Sequence, residues 1–327
     1  MDTIILTKEQ ISRVLNMDDV IESVEEAYKM FSDNKVILPP VLSFDIEKYH
    51  GEIDIKSGYD LVDEVVGVKI ASGYANNYEN YGISNGQATI ILVDVKNGVP
   101  LAIMEGGLIT DMRTGAAGAV SAKYLARKSS KKVAIIGTGI IARWELKALA
   151  RVFELEDVFV WGRSEEKAKQ YVKDMKKEIP LNYTTFVDIE ECVSQADIII
   201  TTTSSKKALI QSEWVKPGTH LACIGADMPG KQELETKLFG KSKIIVDSVN
   251  QCVERGEVQH AIRNGLVLER DLIEMGEVIL GYKQGRESDE DITIFDSTGL
   301  SIQDITTAKK VISVLKDNRD VLAVNLI

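Results

Sequence analysis

"VAIIGTGIIARWEL", residues 133–146, reads as a buried strand, a glycine turn and an amphipathic helix in succession. Gly137 permits the tight turn, Gly139 lets main chain approach a pyrophosphate, and Ala142 is small enough for the helix to pack on the strand. An anion would then sit on the N-terminus of the helix opening at Ile140. A bare GxGxxA is a weak signal, and its other reading is an ordinary strand–helix loop. Here further strand and helix patterns follow, at residues 158–162, 198–202, 221–225, 244–247 and 292–295. That alternation predicts an α/β fold with a doubly wound parallel sheet of the Rossmann type, binding a dinucleotide.

Upstream the pattern differs. A capping box at Thr7–Gln10 and an apolar face of Val20, Ile21, Val24, Ala27, Tyr28 and Phe31 predict two helices. Short β-rich runs then extend to residue 105, with Lys96-Asn97-Gly98 as a hairpin turn. This is an α+β module. A helix rich in small residues follows over residues 108–128, and the final helix after Gly299 is expected to return to the first module. The expected division is a discontinuous first domain of residues 1–118 plus 299–327, and 119–298 for the inserted Rossmann domain.

The chain has 327 residues, 44% of them hydrophobic and 27% charged, and its net charge is 39 − 50 = −11. Excess acid repels polyphosphate and anionic lipid, which argues against nucleic acid as a partner. No apolar run approaches the roughly 20 residues of a membrane span, and the N-terminus lacks a signal-peptide pattern. Three cysteines without CxxC spacing predict neither a disulfide framework nor a metal site. The expected location is the cytoplasm.

The second strand should end on an acid that binds the ribose of NAD, but residues 162–164 are Gly162, Arg163 and Ser164. A guanidinium beside a hydroxyl suits a 2′-phosphate, so NADP(H) is the preferred cofactor and NAD(H) a possible one. Alternatively, Arg163 stacks on adenine and Ser164 caps the next helix. Thr202 and Thr203 close the third strand, where the cofactor would pass.

Three further residues carry the expected chemistry. Lys69 interrupts an apolar strand on the side of Gly67 and Ala71. Arg113 suits bidentate capture of a carboxylate. Asp227 stands at the carboxyl end of a parallel strand, where open sheets bind ligands. Taken singly each reads as structural; together they suit imine reduction. Lysine and arginine would hold an α-carboxylate, and the acid would move the proton on nitrogen.

"GVKIASGYANN", "LAIMEGGLITDMRTGAAGAVSAKYLAR", "SEWVKPGTHLACIGADMPGKQEL" and "GEVILGYKQGRESDEDITIFDSTGLSIQD", with the glycine turn, resemble the ornithine cyclodeaminase/μ-crystallin family over nearly the whole chain. The latter half is most similar to archaeal alanine dehydrogenases of that family. The resemblance implies a homodimer acting on a small amino or imino acid. It places the substrate lysine at Lys69, the carboxylate and cofactor arginine at Arg113, and the catalytic aspartate at Asp227, which also borders the cofactor. Cofactor contacts would fall on Asn85, Thr114, Ile140, Ile141, Gly162, Arg163, Thr203, Ile224, Gly225 and Lys231. Ser297 and Thr298 would lie nearest nicotinamide and substrate.

There are departures from the pattern. Val41 stands where many members carry a basic residue, Asp54 replaces an arginine, and Ile141 replaces a glutamine. "LPPVLSFDI" and "GEIDIKSGY" resemble the ectoine-utilisation branch, where Lys56 would anchor a distal carboxylate; its other reading is an exposed strand lysine. The expected activity is NAD(P)H-dependent imino-acid reduction or its reverse, amino-acid dehydrogenation. The alternatives are an ornithine-type cyclodeaminase with tightly bound NAD, and a non-enzymatic μ-crystallin-like binder.

Overall fold

A computed structural model describes residues 2–316, 318 and 320–326. The chain divides into two compact units, Met1–Arg113 with Leu300–Ile327, and Thr114–Gly299.

The first unit is built on an eight-stranded sheet. Strands Gly51–Asp60, Val65–Tyr74, Gly86–Asp94 and Pro100–Glu105 form its antiparallel centre. The turn between the last two is made at Gly98, whose φ of 75° suits glycine. Thr3–Leu6 is a strand that sequence periodicity does not reveal: it pairs parallel to Pro100–Glu105 and antiparallel to Leu322–Val324. The Thr7 capping box forms as expected. In helix Met17–Ser32 the buried face ends on Met30, and Phe31 is only half-buried.

Helix Ser301–Leu315 belongs to this unit and lies on the sheet over Gly58 and Gly67, which are register partners on adjacent strands. A Cβ on Gly67 would stand 2.3 Å from Ile305 Cγ1, and one on Gly58 would stand 2.9 Å from Ser301 Oγ. Absence of side chains at this pair lets the helix approach closely enough for its polar residues to reach the strand lysines.

The second unit carries an eight-stranded, all-parallel sheet. Its order is Asn182–Phe186, Asp157–Trp161, Lys132–Ile136, Ile198–Thr201, His220–Cys223, Ile292–Asp296, Ser242–Val246 and Ile273–Glu274. The order reverses between Lys132–Ile136 and Ile198–Thr201, and that switch point is where such sheets bind ligands. Helix Gly107–Leu125 begins in the first unit and ends in the second. Its small residues do what their size suggests: a Cβ on Gly115 would meet the Trp144 carbonyl carbon at 2.5 Å. The three cysteines are free and buried in the second unit. Among the described residues no helix is long and apolar enough to cross a membrane.

Candidate functional site

In the first unit, Lys56 and Lys69 are cross-strand register partners, both almost fully buried. Period-two alternation puts Lys69 on the same face as Gly67, so it points beneath the Ser301–Leu315 helix. There Lys69 Nζ lies 2.7 Å from Asp304 Oδ2, and Arg113 Nε donates to Asp304 Oδ1 at 3.1 Å. Arg113 Nη1 also donates to Gln303 Oε1 at 3.3 Å, and Gln303 Nε2 donates to the Tyr28 hydroxyl at 2.8 Å.

The cluster is electrostatically unbalanced. The charged groups acting most strongly on Lys69 are Arg113, Asp304 and Lys56, two cations and one carboxylate, and Asp111 also interacts with Lys69 and Arg113. Burial, reinforced by Arg113, lowers the Lys69 pKa from 10.5 to about 7, with Asp304 resisting the shift. Burial acts against the Asp304 carboxylate too, but Arg113 and Lys69 outweigh it and hold its pKa below the usual value. Such surplus buried positive charge suits a carboxylate ligand. Asp304 and Gln303 were invisible to sequence reasoning, because an acid in an amphipathic helix ordinarily reads as solvated.

In the second unit the glycine turn opens a cavity of about 630 Å³ lined by Gly137, Gly139, Gly162, Arg163, Ser164 and Thr203, among others. Gly137 has φ 117°, and a Cβ there would stand 2.5 Å from Thr202 Oγ1. Gly139 has open space where a Cβ would be. The residues therefore fit a dinucleotide: bare main chain faces the cavity at the start of helix Ile140–Val152. Arg163 and Lys167 bring two cations to its rim. Ser164 caps helix Glu165–Glu178, accepting from Lys167 N at 3.3 Å, so its capping role is realised.

The other expected contacts fall as follows. Ile140 is exposed and Ile141 half-buried on the first turn of the helix. Ile224 is buried, and a Cβ on Gly225 would stand 2.3 Å from the Thr203 carbonyl oxygen. Asp227 Oδ1 accepts from Lys231 Nζ at 2.6 Å. Ser297 and Thr298 are buried and donate to Asp247. Asn85, in the first unit, donates to the Ala75 carbonyl and accepts from Tyr78 N. Thr114 follows Arg113 on the same helix.

Sequence reasoning also missed a set of buried carboxylates in the second unit. Glu233 accepts from Thr203 N and Gly225 N, clamping two strand ends at the cavity. Asp247 accepts from Thr298 N and Gly299 N. Among the described residues no group of three or more His, Cys, Asp or Glu side chains is placed to hold a metal ion.

Residues 1–319 match the family model described as the ornithine cyclodeaminase/mu-crystallin family. An alanine dehydrogenase of Archaeoglobus fulgidus is 39% identical over 312 residues, covering 95% of this chain and 94% of that protein. An iminosuccinate reductase of Paracoccus denitrificans is 34% identical, covering 96% of this chain and 97% of that protein. A solved archaeal alanine dehydrogenase dimer with bound NAD superposes with a TM-score of 0.94 at 37% identity over 100% of both chains. The Thermococcus litoralis Δ1-pyrroline-2-carboxylate reductase, in complex with NADH and L-proline, gives 0.92 at 33% identity, over 99% of this chain and 100% of that one. The chain belongs to the ornithine cyclodeaminase/mu-crystallin family.

Proposed function

We propose that this protein is an NAD(P)H-dependent reductase of small 2-imino acids, acting in reverse as an amino-acid dehydrogenase. The observation that carries the reading is the convergence of two buried cations, Lys69 and Arg113, on the single carboxylate of Asp304, in a chain that also presents a dinucleotide-binding turn. Relatives named as alanine dehydrogenase and iminosuccinate reductase support it.

Lys69 and Arg113 hold the α-carboxylate, and Asp304 keeps both cations oriented. Asp227 and Lys231 form the proton-exchanging pair: the proton that reaches the substrate nitrogen through Asp227 during reduction comes from this pair and returns to it in the reverse direction. The bound nicotinamide supplies the hydride that adds to the α-carbon, so imine, hydride and proton together give the amine. Gly137 and Gly139 offer main chain to the pyrophosphate, while Arg163, Ser164 and Lys167 favour a 2′-phosphate and hence NADP(H). Lys56 anchors a distal carboxylate, so dicarboxylic imino acids are favoured substrates. The working form is a homodimer, as in the archaeal alanine dehydrogenase.

The test is a spectrophotometric screen of NADPH and NADH oxidation. Pyruvate, oxaloacetate and glyoxylate are supplied with ammonia or methylamine, alongside pyrroline-2-carboxylate. Bulk cofactor oxidation with at least one pairing is expected, fastest with oxaloacetate plus ammonia. No oxidation with any pairing, together with ammonia release from ornithine, would replace the reading with cyclodeamination.

A further inference from the structure

Residues 255–260, "RGEVQH", lie between and within two short helices, Val249–Arg255 and Gln259–Arg263. Four of their side chains bind the main chain of one stretch, residues 227–234. Arg255 Nε donates to the Asp227 carbonyl at 2.8 Å. Gln259 accepts from Gly230 N at 2.9 Å and donates to the Met228 carbonyl at 3.4 Å. His260 Nε2 donates to the Lys231 carbonyl at 3.0 Å, since a carbonyl can only accept. Glu257 accepts from Glu233 N at 2.9 Å and from Leu234 N at 2.7 Å.

The segment is itself fixed. Asp296, the last residue of strand Ile292–Asp296, accepts from Glu257 N and Val258 N, both at 2.9 Å. A Cβ on Gly256 would stand 2.4 Å from Asp296 Oδ2, so glycine is needed for the carboxylate to reach those two amides. Gln259 and Glu257 are fully buried. The stretch they hold carries Asp227 at its start and Lys231 in its middle, and Gly230 within it has φ 82°, a conformation that glycine adopts without strain.

We propose that residues 255–260 form a template that sets the position of the Asp227 carboxyl group, with Gln259 as its principal positioning residue. The proposal rests on the proton-transfer role given to Asp227. Gln259 touches neither substrate nor cofactor in this scheme; it ties Met228 and Gly230, immediately beyond Asp227, to a rigid strand end. Proton transfer requires hydrogen-bond reach, so a loop released by a fraction of an ångström loses rate before it loses binding.

Gln259→Ala, Gln259→Glu and Asp227→Asn are compared with wild type, using the fastest substrate pairing of the panel above. Steady-state kcat, NADH affinity by fluorescence titration, thermal stability and hydrogen exchange of the 226–236 peptide are measured. Gln259→Ala is expected to exchange faster in that peptide and to lose about tenfold or more in kcat, with NADH affinity within about twofold of wild type. Gln259→Glu keeps the acceptor for Gly230 N but loses the amide donor to the Gly256 and Met228 carbonyls, so its kcat should fall between those of Gln259→Ala and wild type; where the alanine variant does not fold, wild-type kcat and peptide exchange in Gln259→Glu overturn the template. The Asp227→Asn/Gln259→Ala double variant should be no slower than Asp227→Asn alone.

Unchanged exchange, or wild-type kcat in Gln259→Ala while Asp227→Asn is impaired, overturns the template and leaves the role of Asp227 standing. Equal losses of kcat, NADH affinity and stability would mark Gln259 as merely structural, which also overturns it. Full turnover in Asp227→Asn removes the proton-transfer reading itself, and the template's role with it.

Discussion

Lys69 and Asp304 form a buried ion pair, 2.7 Å between Nζ and Oδ2, that joins a central strand of the first unit to its C-terminal helix. The same carboxylate takes Arg113 on its other oxygen. Removing Asp304 leaves two buried cations without their shared partner, and breaking such a pair from one side costs about 3–5 kcal/mol. Asp304→Ala is therefore expected to lower stability in urea denaturation by that order. A loss within experimental error would mean that Asp304 does not hold the two cations together.

The lowered pKa of Lys69, about 7, has a consequence for substrate binding. Only the protonated ammonium attracts a carboxylate, so KM for the imino acid should rise as pH climbs through and above 7. Lys69→Arg, which stays charged throughout, should flatten that rise. Stability moves the other way. The folded value lies below the unfolded 10.5, so the unfolded chain binds more protons between the two values, and stability should rise with pH across that window. A KM profile that is flat in wild type, or equally steep in Lys69→Arg, would remove Lys69 from carboxylate binding.

Gly67 is expected to tolerate no side chain. Its missing Cβ would stand 2.3 Å from Ile305 Cγ1. Gly67→Ala should cost about 1–3 kcal/mol as helix Ser301–Leu315 is pushed outward. It should also raise KM for the imino acid, because Asp304 moves with the helix. Thermal denaturation and steady-state kinetics check the two effects separately.

Arg163 is expected to distinguish the two nicotinamide cofactors. Arg163→Ala should raise KM for NADPH by about tenfold and leave that for NADH nearly unchanged, the loss expected for a charge-assisted contact to the 2′-phosphate. Equal effects on both cofactors would indicate adenine stacking instead.

Much of this was legible in the sequence, and the remainder was hidden for a common reason. The central parallel strands Lys132–Ile136 and Ile198–Thr201 are near-continuous apolar runs, which mark strands buried on both faces, whereas the edge strand Asn182–Phe186 is mostly polar, only partly buried, and gave no such signal. Lys69 was conspicuous because a charge broke one apolar strand. Asp304, Gln303 and Glu233 were not, since each acquires meaning only through a partner far away in the chain. Strand Thr3–Leu6 was hidden by its four-residue length and its pairing with Pro100–Glu105. The 255–260 segment lacked any periodic signature, because its order comes from side chains reaching another stretch's main chain.

The central claim is net hydride transfer to the α-carbon of an imino acid. It is tested most directly with NADPH, or NADH, deuterated at C4 on both faces and pyrroline-2-carboxylate or oxaloacetate plus ammonia. The amino-acid product should carry one deuterium at Cα for each oxidised cofactor formed. Product formation with no deuterium at Cα, or without stoichiometric cofactor oxidation, would contradict it.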